Sequence, residues 1–296
     1  MEKEVIGVEE KLEKSNIVKK IINFFFTRIL LYLPFNWGTE FFMKSCKGAA
    51  DLRSWATTWK ALEILYNWNP EKSTWKSDFE LREEYGNGFF TRLWQKLDNS
   101  AAVRNRYKLV KNELKKAVIE SRKKVVFQLS LGCGSSRANL EAVAELSKEC
   151  PEKTVKTILV DYSRSALSYS AQLAKKLKLK NVVVQRGDVT KIREYTNGVP
   201  VDIIEANGIL PYLSDIESVY FLENIYRTLD IDGILITSNT GENFETPFIK
   251  KIVGYNSMRT RTAECVARLV QEAGFQGIKI IPEPLGLHSL VVAKKT

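Results

Sequence analysis

Histidine and cysteine, the side chains that most often bind zinc, are scarce in this sequence. The chain of 296 residues has a single histidine, His288, and four cysteines. The cysteines stand far apart and form no CxxC pair, so the sequence predicts neither a metal site nor a disulfide framework. A reducing cytoplasm is the compartment that such a composition favours.

Apolar runs long enough to span a bilayer are also lacking. The longest apolar stretch, residues 21–35, is interrupted by Asn, Arg and Pro and is shorter than the roughly 20 residues that a transmembrane helix needs. Residues 1–20 mix Glu and Lys, unlike a signal peptide. The apolar segment 18–44 carries basic residues at intervals and could make peripheral membrane contact. The core of a lid domain or a homodimer surface is the alternative.

Acidic residues are too few to balance the basic ones, and the excess is uneven. The net charge is +10, and residues 1–124 contain 24 Lys and Arg against 16 Asp and Glu. This indicates contact with something anionic, such as a phosphate-bearing substrate, a membrane surface or RNA. A solvated helical surface would have the same composition.

The two parts of the chain differ in hydrophobic pattern. Residues 1–120 have helical periodicity, which predicts helices over about 15–33, 48–67, 78–97 and 100–122. Residues 121–296 alternate apolar runs with amphipathic segments, which predicts strands at 125–131, 157–163, 181–188, 201–208, 233–239, 277–283 and 289–295. Apolar strands separated by helices predict a mostly parallel sheet covered on both faces. The last two strands are too close for a helical crossover and should pair antiparallel.

A glycine loop, LGCGSSR, ends the first predicted sheet strand. Gly132 and Gly134 permit a tight turn and close approach of a ligand to the backbone. A dinucleotide motif would have its third glycine where Arg137 stands, which argues against NAD. The next two strands end in Asp161 and Asp188. A carboxylate at the first of these places can accept both hydroxyls of a ribose, and one at the second can accept from an exocyclic amino group.

Five segments resemble successive motifs of the class I methyltransferases that use S-adenosylmethionine (SAM): LGCGSS, VDYS, RGDV, DIIEANGILPYL and LDIDGILITSN. The resemblance covers about residues 125–296 and implies a Rossmann-like seven-stranded sheet of order 3-2-1-4-5-7-6. It implies SAM as the cofactor, with Asp161 at the ribose and Asp188 at the adenine. The cofactor-binding residues that it implies are Ser130, Gly132, Cys133, Gly134, Asp161, Tyr162, Gly187, Asp188, Val189, Asn207 and Tyr107.

Two positions depart from the pattern of that family. The acidic residue usual two places before the first glycine is Ser130, and the usual third glycine is Ser136. Loss of the carboxylate removes an anchor near a cationic ligand. Weaker SAM binding, a different ligand and a degenerate site therefore stay open.

The loop after the fourth sheet strand faces the expected methyl position and holds the catalytic candidates. Glu205 could accept a proton, Asn207 could orient the acceptor, and Tyr212 is the third polar group. As alternatives, Glu205 is a solvated strand end and Asn207 a turn residue. The loop lacks the amide-Pro-Pro motif of enzymes that methylate nucleic-acid amino groups, so no specific nucleic-acid partner is expected. His288 could reach the cleft or be structural.

N-terminal helices of such enzymes often close over the cofactor, and residues 1–120 are expected to form this lid and to bind substrate, with residues 121–296 binding SAM. Helical spacing puts Arg104 and Tyr107 near one face, where Tyr107 could cover SAM or simply be packed. The predicted function is a SAM-dependent methyltransferase acting on a small, apolar or lipid-like acceptor. An RNA methyltransferase and an inactive SAM-binding or membrane-associated module are the alternatives.

Overall fold

A seven-stranded sheet forms the centre of the molecule in the computed structural model, which describes residues 10–296. A two-stranded hairpin, β1 and β2, precedes this sheet. The strands are β1 Trp68–Asn69, β2 Thr74–Trp75, β3 Val125–Leu131, β4 Thr154–Asp161, β5 Val182–Arg186, β6 Val201–Ala206, β7 Leu229–Ser238, β8 Gln276–Pro282 and β9 Ser289–Lys294.

The strand order of the sheet is β5-β4-β3-β6-β7-β9-β8. Strands β3 to β7 pair in parallel, whereas β9 is antiparallel to both β7 and β8. Counted from the first strand of the sheet, this order is 3-2-1-4-5-7-6, so the predicted fold class, the order and the antiparallel edge pair are confirmed. Because the order reverses between β3 and β6, the loops that follow these strands open a crevice at the carboxyl edge.

Helices cover both faces of the sheet. α7 and α8 pack on one face, and α11 and α13 pack on the other. The helices are α1 Ile17–Tyr32, α2 Trp37–Ser45, α3 Lys47–Ser54, α4 Trp59–Tyr66, α5 Arg82–Tyr85, α6 Phe89–Gln95, α7 Asp98–Glu120, α8 Arg137–Glu149, α9 Arg164–Lys176, α10 Ile192–Tyr195, α11 Asp215–Thr228, α12 Thr246–Phe248 and α13 Ala263–Glu272. A π-helical turn, Ile249–Val253, continues α12.

Side-chain caps fix where several of these helices begin. Ser163 and Thr262 each accept a hydrogen bond from a first-turn backbone N–H, of α9 and α13 respectively. Ser214 and Glu217 form a reciprocal capping box at the start of α11. Such caps satisfy N–H groups that have no partner within the helix.

The N-terminal helices have an aromatic core of their own. Phe42, Trp68 and Trp94 are buried there together with Phe248, which comes from the segment after β7. The prediction of single helices over 48–67 and 78–97 was wrong, because each region holds two. Thr57 and Gly86 separate the pairs with φ of +66° and +58°, a conformation that no right-handed helix contains.

Helix α7 joins the N-terminal region to the sheet. Its residues Val110, Leu114 and Val118 pack against the sheet in the same core as Val126 of β3. The helix therefore belongs to the layer that covers the sheet, although its sequence lies before the boundary predicted at residue 120.

Helix α1 has an exposed apolar stripe. Ile17, Ile21, Phe25, Ile29 and Tyr32 lie along it, and each is at least half exposed. The opposite side packs against the protein. No helix within residues 10–296 is both long and apolar enough to cross a membrane.

Candidate active site

The glycine loop after β3 forms the floor of a cleft of about 510 Å³. Gly132 and Gly134 both line this cleft, with φ of +58° and +54°. A Cβ atom on Gly134 would stand 3.2 Å from the Cβ of Trp59. The loop thus needs glycine for its backbone conformation and for close packing against α4. Ser136, where the family has a third glycine, keeps a left-handed φ of +48°.

Asp161, at the end of β4, braces this loop and faces the cleft. Its Oδ2 accepts a hydrogen bond of 2.9 Å from the backbone N–H of Gly134, and its Oδ1 accepts one of 2.8 Å from that of Ser163. A carboxylate has about four acceptor positions. Asp161 therefore retains the capacity to accept hydrogen bonds from a ligand.

Glu205 lies beneath the loop and outside the lining of the cleft. It is buried, and its carboxylate accepts from the Ser130 hydroxyl, from Asn139 Nδ2 at 3.1 Å, and from both the backbone N–H and the side-chain amide of Asn207. Four hydrogen bonds leave no free position for a substrate proton. The predicted role of Glu205 as a base is therefore corrected to that of a positioning residue.

Ser130 and Glu205 face each other across neighbouring strands. They are register partners in the β3–β6 ladder, and Ser130 is fully buried. A carboxylate from β6 thus lies beside the position at which the family pattern has one on β3. A sequence motif describes one strand at a time, so it could not show that Ser130 pairs with Glu205 on the neighbouring strand.

Asn207 and Tyr212 of the loop after β6 both line the cleft. The amide nitrogen of Asn207 is held by Glu205, while its Oδ1 is buried and has no hydrogen-bond partner among the described residues. Tyr212 ends a short 3-10 turn, and burial raises the pKa of its hydroxyl. Both residues line the cleft, and their roles toward the acceptor stay a prediction.

Other predicted cofactor residues lie around the cleft without lining it. Cys133 is half-buried, and burial raises its pKa well above the ordinary value. Tyr162 is exposed, with Arg186 over its ring. Asp188 is exposed and accepts hydrogen bonds from the backbone N–H and the hydroxyl of Thr190.

Gly187 and Val189 lie beside Asp188 at the same strand end. A Cβ atom on Gly187 would stand 2.0 Å from the hydroxyl oxygen of Tyr195, so glycine is required there for packing. Val189 packs against the main core under the sheet. Neither residue lines the cleft.

The predicted lid residue Tyr107 does not reach the cleft. It is buried on α7, its hydroxyl donates to Glu141, and its ring packs on Tyr66 at 4.9 Å. Arg104 is also turned away, since its Nε donates to Glu13 at 2.6 Å. The alternative of a packed tyrosine is the one that these contacts support.

Two residues that line the cleft were not assigned to it from the sequence. Arg106 was missed, and for His288 the choice between a cleft residue and a structural residue was left open. Nδ1 of His288 lies 3.1 Å from the carbonyl oxygen of Asn239. Because a carbonyl can only accept, Nδ1 carries the proton and Nε2 is left as an acceptor. Nε2 has no partner within the described chain. Burial and the charge of Arg106 lower the pKa of His288 to about 3, so the ring is neutral.

The N-terminal helices provide the opposite wall of the cleft, including Trp55 and Trp59. Glu63 of α4 joins them to helices α8 and α9: it is buried and accepts hydrogen bonds from Arg137 Nη2 at 2.6 Å and from the Tyr169 hydroxyl at 2.7 Å. The cleft thus lies between the N-terminal helices and the carboxyl edge of the sheet, and the hydrogen bonds of Glu63 hold these helices in place.

A family model described as a methyltransferase domain matches residues 123–278. The chain belongs to this methyltransferase family. The match begins just before β3 and covers the glycine loop, Asp161 and Asn207. The family that the motifs predicted, the class I methyltransferases, is thereby confirmed. No curated protein matches the sequence.

Solved structures share the fold of this chain at low sequence identity. A "possible exported protein" from Bordetella parapertussis is 16% identical with a TM-score of 0.65, covering 94% of this chain and 96% of its own. Magnesium protoporphyrin IX methyltransferase from Synechocystis PCC 6803, with bound S-adenosylhomocysteine (SAH), is 14% identical with a TM-score of 0.52, covering 72% and 91%. An O-methyltransferase family protein from Burkholderia thailandensis is also 14% identical, with a TM-score of 0.51, covering 70% and 60%.

Proposed function

We propose that this chain transfers the methyl group of SAM to a small acceptor with a largely apolar body. The observation that carries the proposal is the crevice itself, in which the glycine loop and Asp161 lie in one lining with Asn207 and a neutral histidine. SAM supplies a methyl group that is already activated on a sulfonium. The protein has only to bind, align and keep water out.

The residues of the glycine loop fit SAM. The glycines let a ligand approach the backbone, and Asp161 is fixed by two backbone N–H groups and can accept ribose hydroxyls. Glu205 holds Asn207 in place, so the free Oδ1 of Asn207 can accept a hydrogen bond from the acceptor.

The wall formed by the N-terminal helices and the segment after β7 supports an apolar acceptor. A cleft of this size is in the range of small-molecule sites. Its apolar and aromatic lining residues are Leu52, Trp55, Trp59, Leu62, Leu65, Val103, Tyr212, Ile249, Val253, Tyr255 and Met258.

Contact with an anionic lipid surface is a second part of the proposal. The stripe on α1 exposes apolar side chains, and Lys14 and Lys20 are exposed nearby. Apolar area and basic charge together favour anionic lipid over a second, equally basic copy of the chain. Such docking would place the protein at the surface that holds a lipid-like acceptor.

Methyl transfer from labelled SAM tests the acceptor class. The full chain is incubated with vesicles of anionic and neutral lipid carrying a total lipid extract, with an aqueous small-molecule extract, and with RNA. We expect label in an apolar, lipid-like product and none in RNA. Flotation with the vesicles should be lost in Phe25→Glu/Ile29→Glu but kept in Ile231→Glu, an equally exposed site elsewhere.

Label in RNA alone would overturn the proposed acceptor. A dimer in solution that Phe25→Glu/Ile29→Glu dissolves, with no vesicle binding by the wild type, would make the stripe a dimer surface instead.

A further inference from the structure

Arg106 is a buried cation that has no acidic partner in the described part of the chain. It is 8% exposed, extends from α7 and lines the cleft. Within residues 10–296, no Asp or Glu oxygen lies within 4.0 Å of its nitrogens. The two other buried arginines nearby differ, because Arg104 pairs with Glu13 and Arg137 with Glu63. Leaving a buried charge unpaired costs free energy that the fold does not recover.

Four neutral side chains lie close enough to Arg106 for its charge to affect their pKa. Burial raises the pKa of the Tyr66, Tyr212 and Tyr255 hydroxyls, and the nearby guanidinium opposes that rise in each. Burial and the same charge both lower the pKa of His288, which keeps its ring unprotonated. None of these side chains can neutralise Arg106, and no carboxylate of residues 10–296 does so, which leaves a ligand to supply the counter-charge.

Arg106 lines the cleft together with Tyr212, which follows β6, and His288, which immediately precedes β9.

Two further polar atoms of the cleft lack partners among the described residues: Oδ1 of Asn207 and Nε2 of His288. Both are acceptors, so they call for a ligand that donates a hydrogen bond. Arg106 lines the same cleft and would bind an anion. The rest of the lining is mostly apolar, although Lys60, Asn99 and Thr240 also belong to it.

We propose that the methyl acceptor is an amphiphilic acid: an apolar body with a carboxylate or phosphate bound by Arg106, and an O–H or N–H group that donates to Asn207 and His288. This rests on the proposed methyltransferase function, whose own test is SAH binding. It narrows the acceptor from any apolar molecule to an anionic one.

The test uses ligands that share one apolar chain: decanoate, decyl phosphate and decanol, titrated into the SAH-loaded protein by calorimetry. We expect one or both anions to bind wild type at least about tenfold more tightly than decanol, the gain expected of hydrogen bonds to a charged group. Decanoate and decyl phosphate distinguish the two anionic groups. If neither anion binds more tightly than decanol, the proposal is wrong.

Arg106→Met should erase the preference for the anion and leave decanol binding unchanged. Arg106→Lys keeps the charge and should retain part of the preference, while Arg92→Met, at an exposed position, should behave as wild type. Ligand-free Arg106→Met should melt at a higher temperature than wild type, because an unpaired buried charge is gone. A structural role would give the opposite shift.

Titration of SAH distinguishes the claim of an anionic acceptor from the claim of methyltransferase function. We expect Arg106→Met to bind SAH within about threefold of wild type, since the proposal assigns Arg106 to the acceptor. A large loss of SAH affinity would assign Arg106 to the cofactor carboxylate and overturn the inference. Absence of SAH binding in wild type would instead refute the proposed function, whatever the anions do.

Discussion

Ser130→Asp is expected to lower the free energy of unfolding by about 3–5 kcal/mol at pH 8, the cost of an uncompensated buried charge, and to abolish SAH binding. The reason is that Ser130 is fully buried and donates its hydroxyl to Glu205. An aspartate there would set two carboxylates against each other beneath the glycine loop. The deficit should shrink as the pH falls, because one carboxyl can then take up a proton.

The double change Ser130→Asp/Glu205→Ser is expected to recover most of the lost stability and binding. It moves the carboxylate from β6 back to β3 and keeps one charge at the site, so the two single changes should be strongly non-additive in a double-mutant cycle. Ser147→Asp, on the exposed side of α8, is the matched control and should change little. Urea denaturation and SAH calorimetry measure both quantities.

The family pattern alone predicts the opposite result for Ser130→Asp, since it treats the carboxylate as missing. Tighter SAH binding without loss of stability in Ser130→Asp would show that Glu205 does not replace that carboxylate.

Glu63→Gln is expected to lower the free energy of unfolding by about 2–3 kcal/mol at pH 7, because Arg137 loses its most buried carboxylate partner and keeps only Glu141, at 3.2 Å. Glu63 also links α4 to α8 and α9, so the cleft should loosen and methyl transfer should fall. Glu40→Gln breaks an exposed pair with Lys44 and should cost no more than about 0.5 kcal/mol.

The pH dependence of the free energy of unfolding tests whether the interaction of Glu63 with Arg137 is stabilising. Burial would raise the pKa of Glu63, but its hydrogen bond and charge interaction with Arg137 outweigh burial, so the pKa lies below the ordinary 4.5. The stabilisation is therefore present above pH 4.5 and lost as the pH falls through the lower native value. The gap between wild type and Glu63→Gln should close in acid. Equal free energies of unfolding for wild type and Glu63→Gln at pH 7 would contradict this account.

Most of the sheet could be predicted from the sequence because its strands are continuous apolar runs between helices. β3 has the predicted bounds, 125–131, and the predicted loops lie at the carboxyl edge. Gly132, Gly134 and Asp161 could be placed because each follows a strand end directly. A strand end and the loop that follows it are local features of a short segment, and hydrophobic patterns in the sequence locate such features well.

The contacts between distant segments could not be predicted in this way. Arg104 and Arg106 are separated by about 200° around a helix, and periodicity alone does not say which side meets the cleft. The partnership of Ser130 with Glu205 depends on the register of two strands 75 residues apart. Tyr107 fitted the spacing of a lid residue but is packed against Tyr66.

Titration of SAH into the full chain tests the central claim most directly. The account predicts binding of one SAH per chain, weakened at least about tenfold by Asp161→Ala, the loss expected when a hydrogen bond to a charged group is removed. Circular dichroism should show both proteins folded, and NADH should not bind. A folded wild-type protein that binds NADH and no SAH would contradict the account.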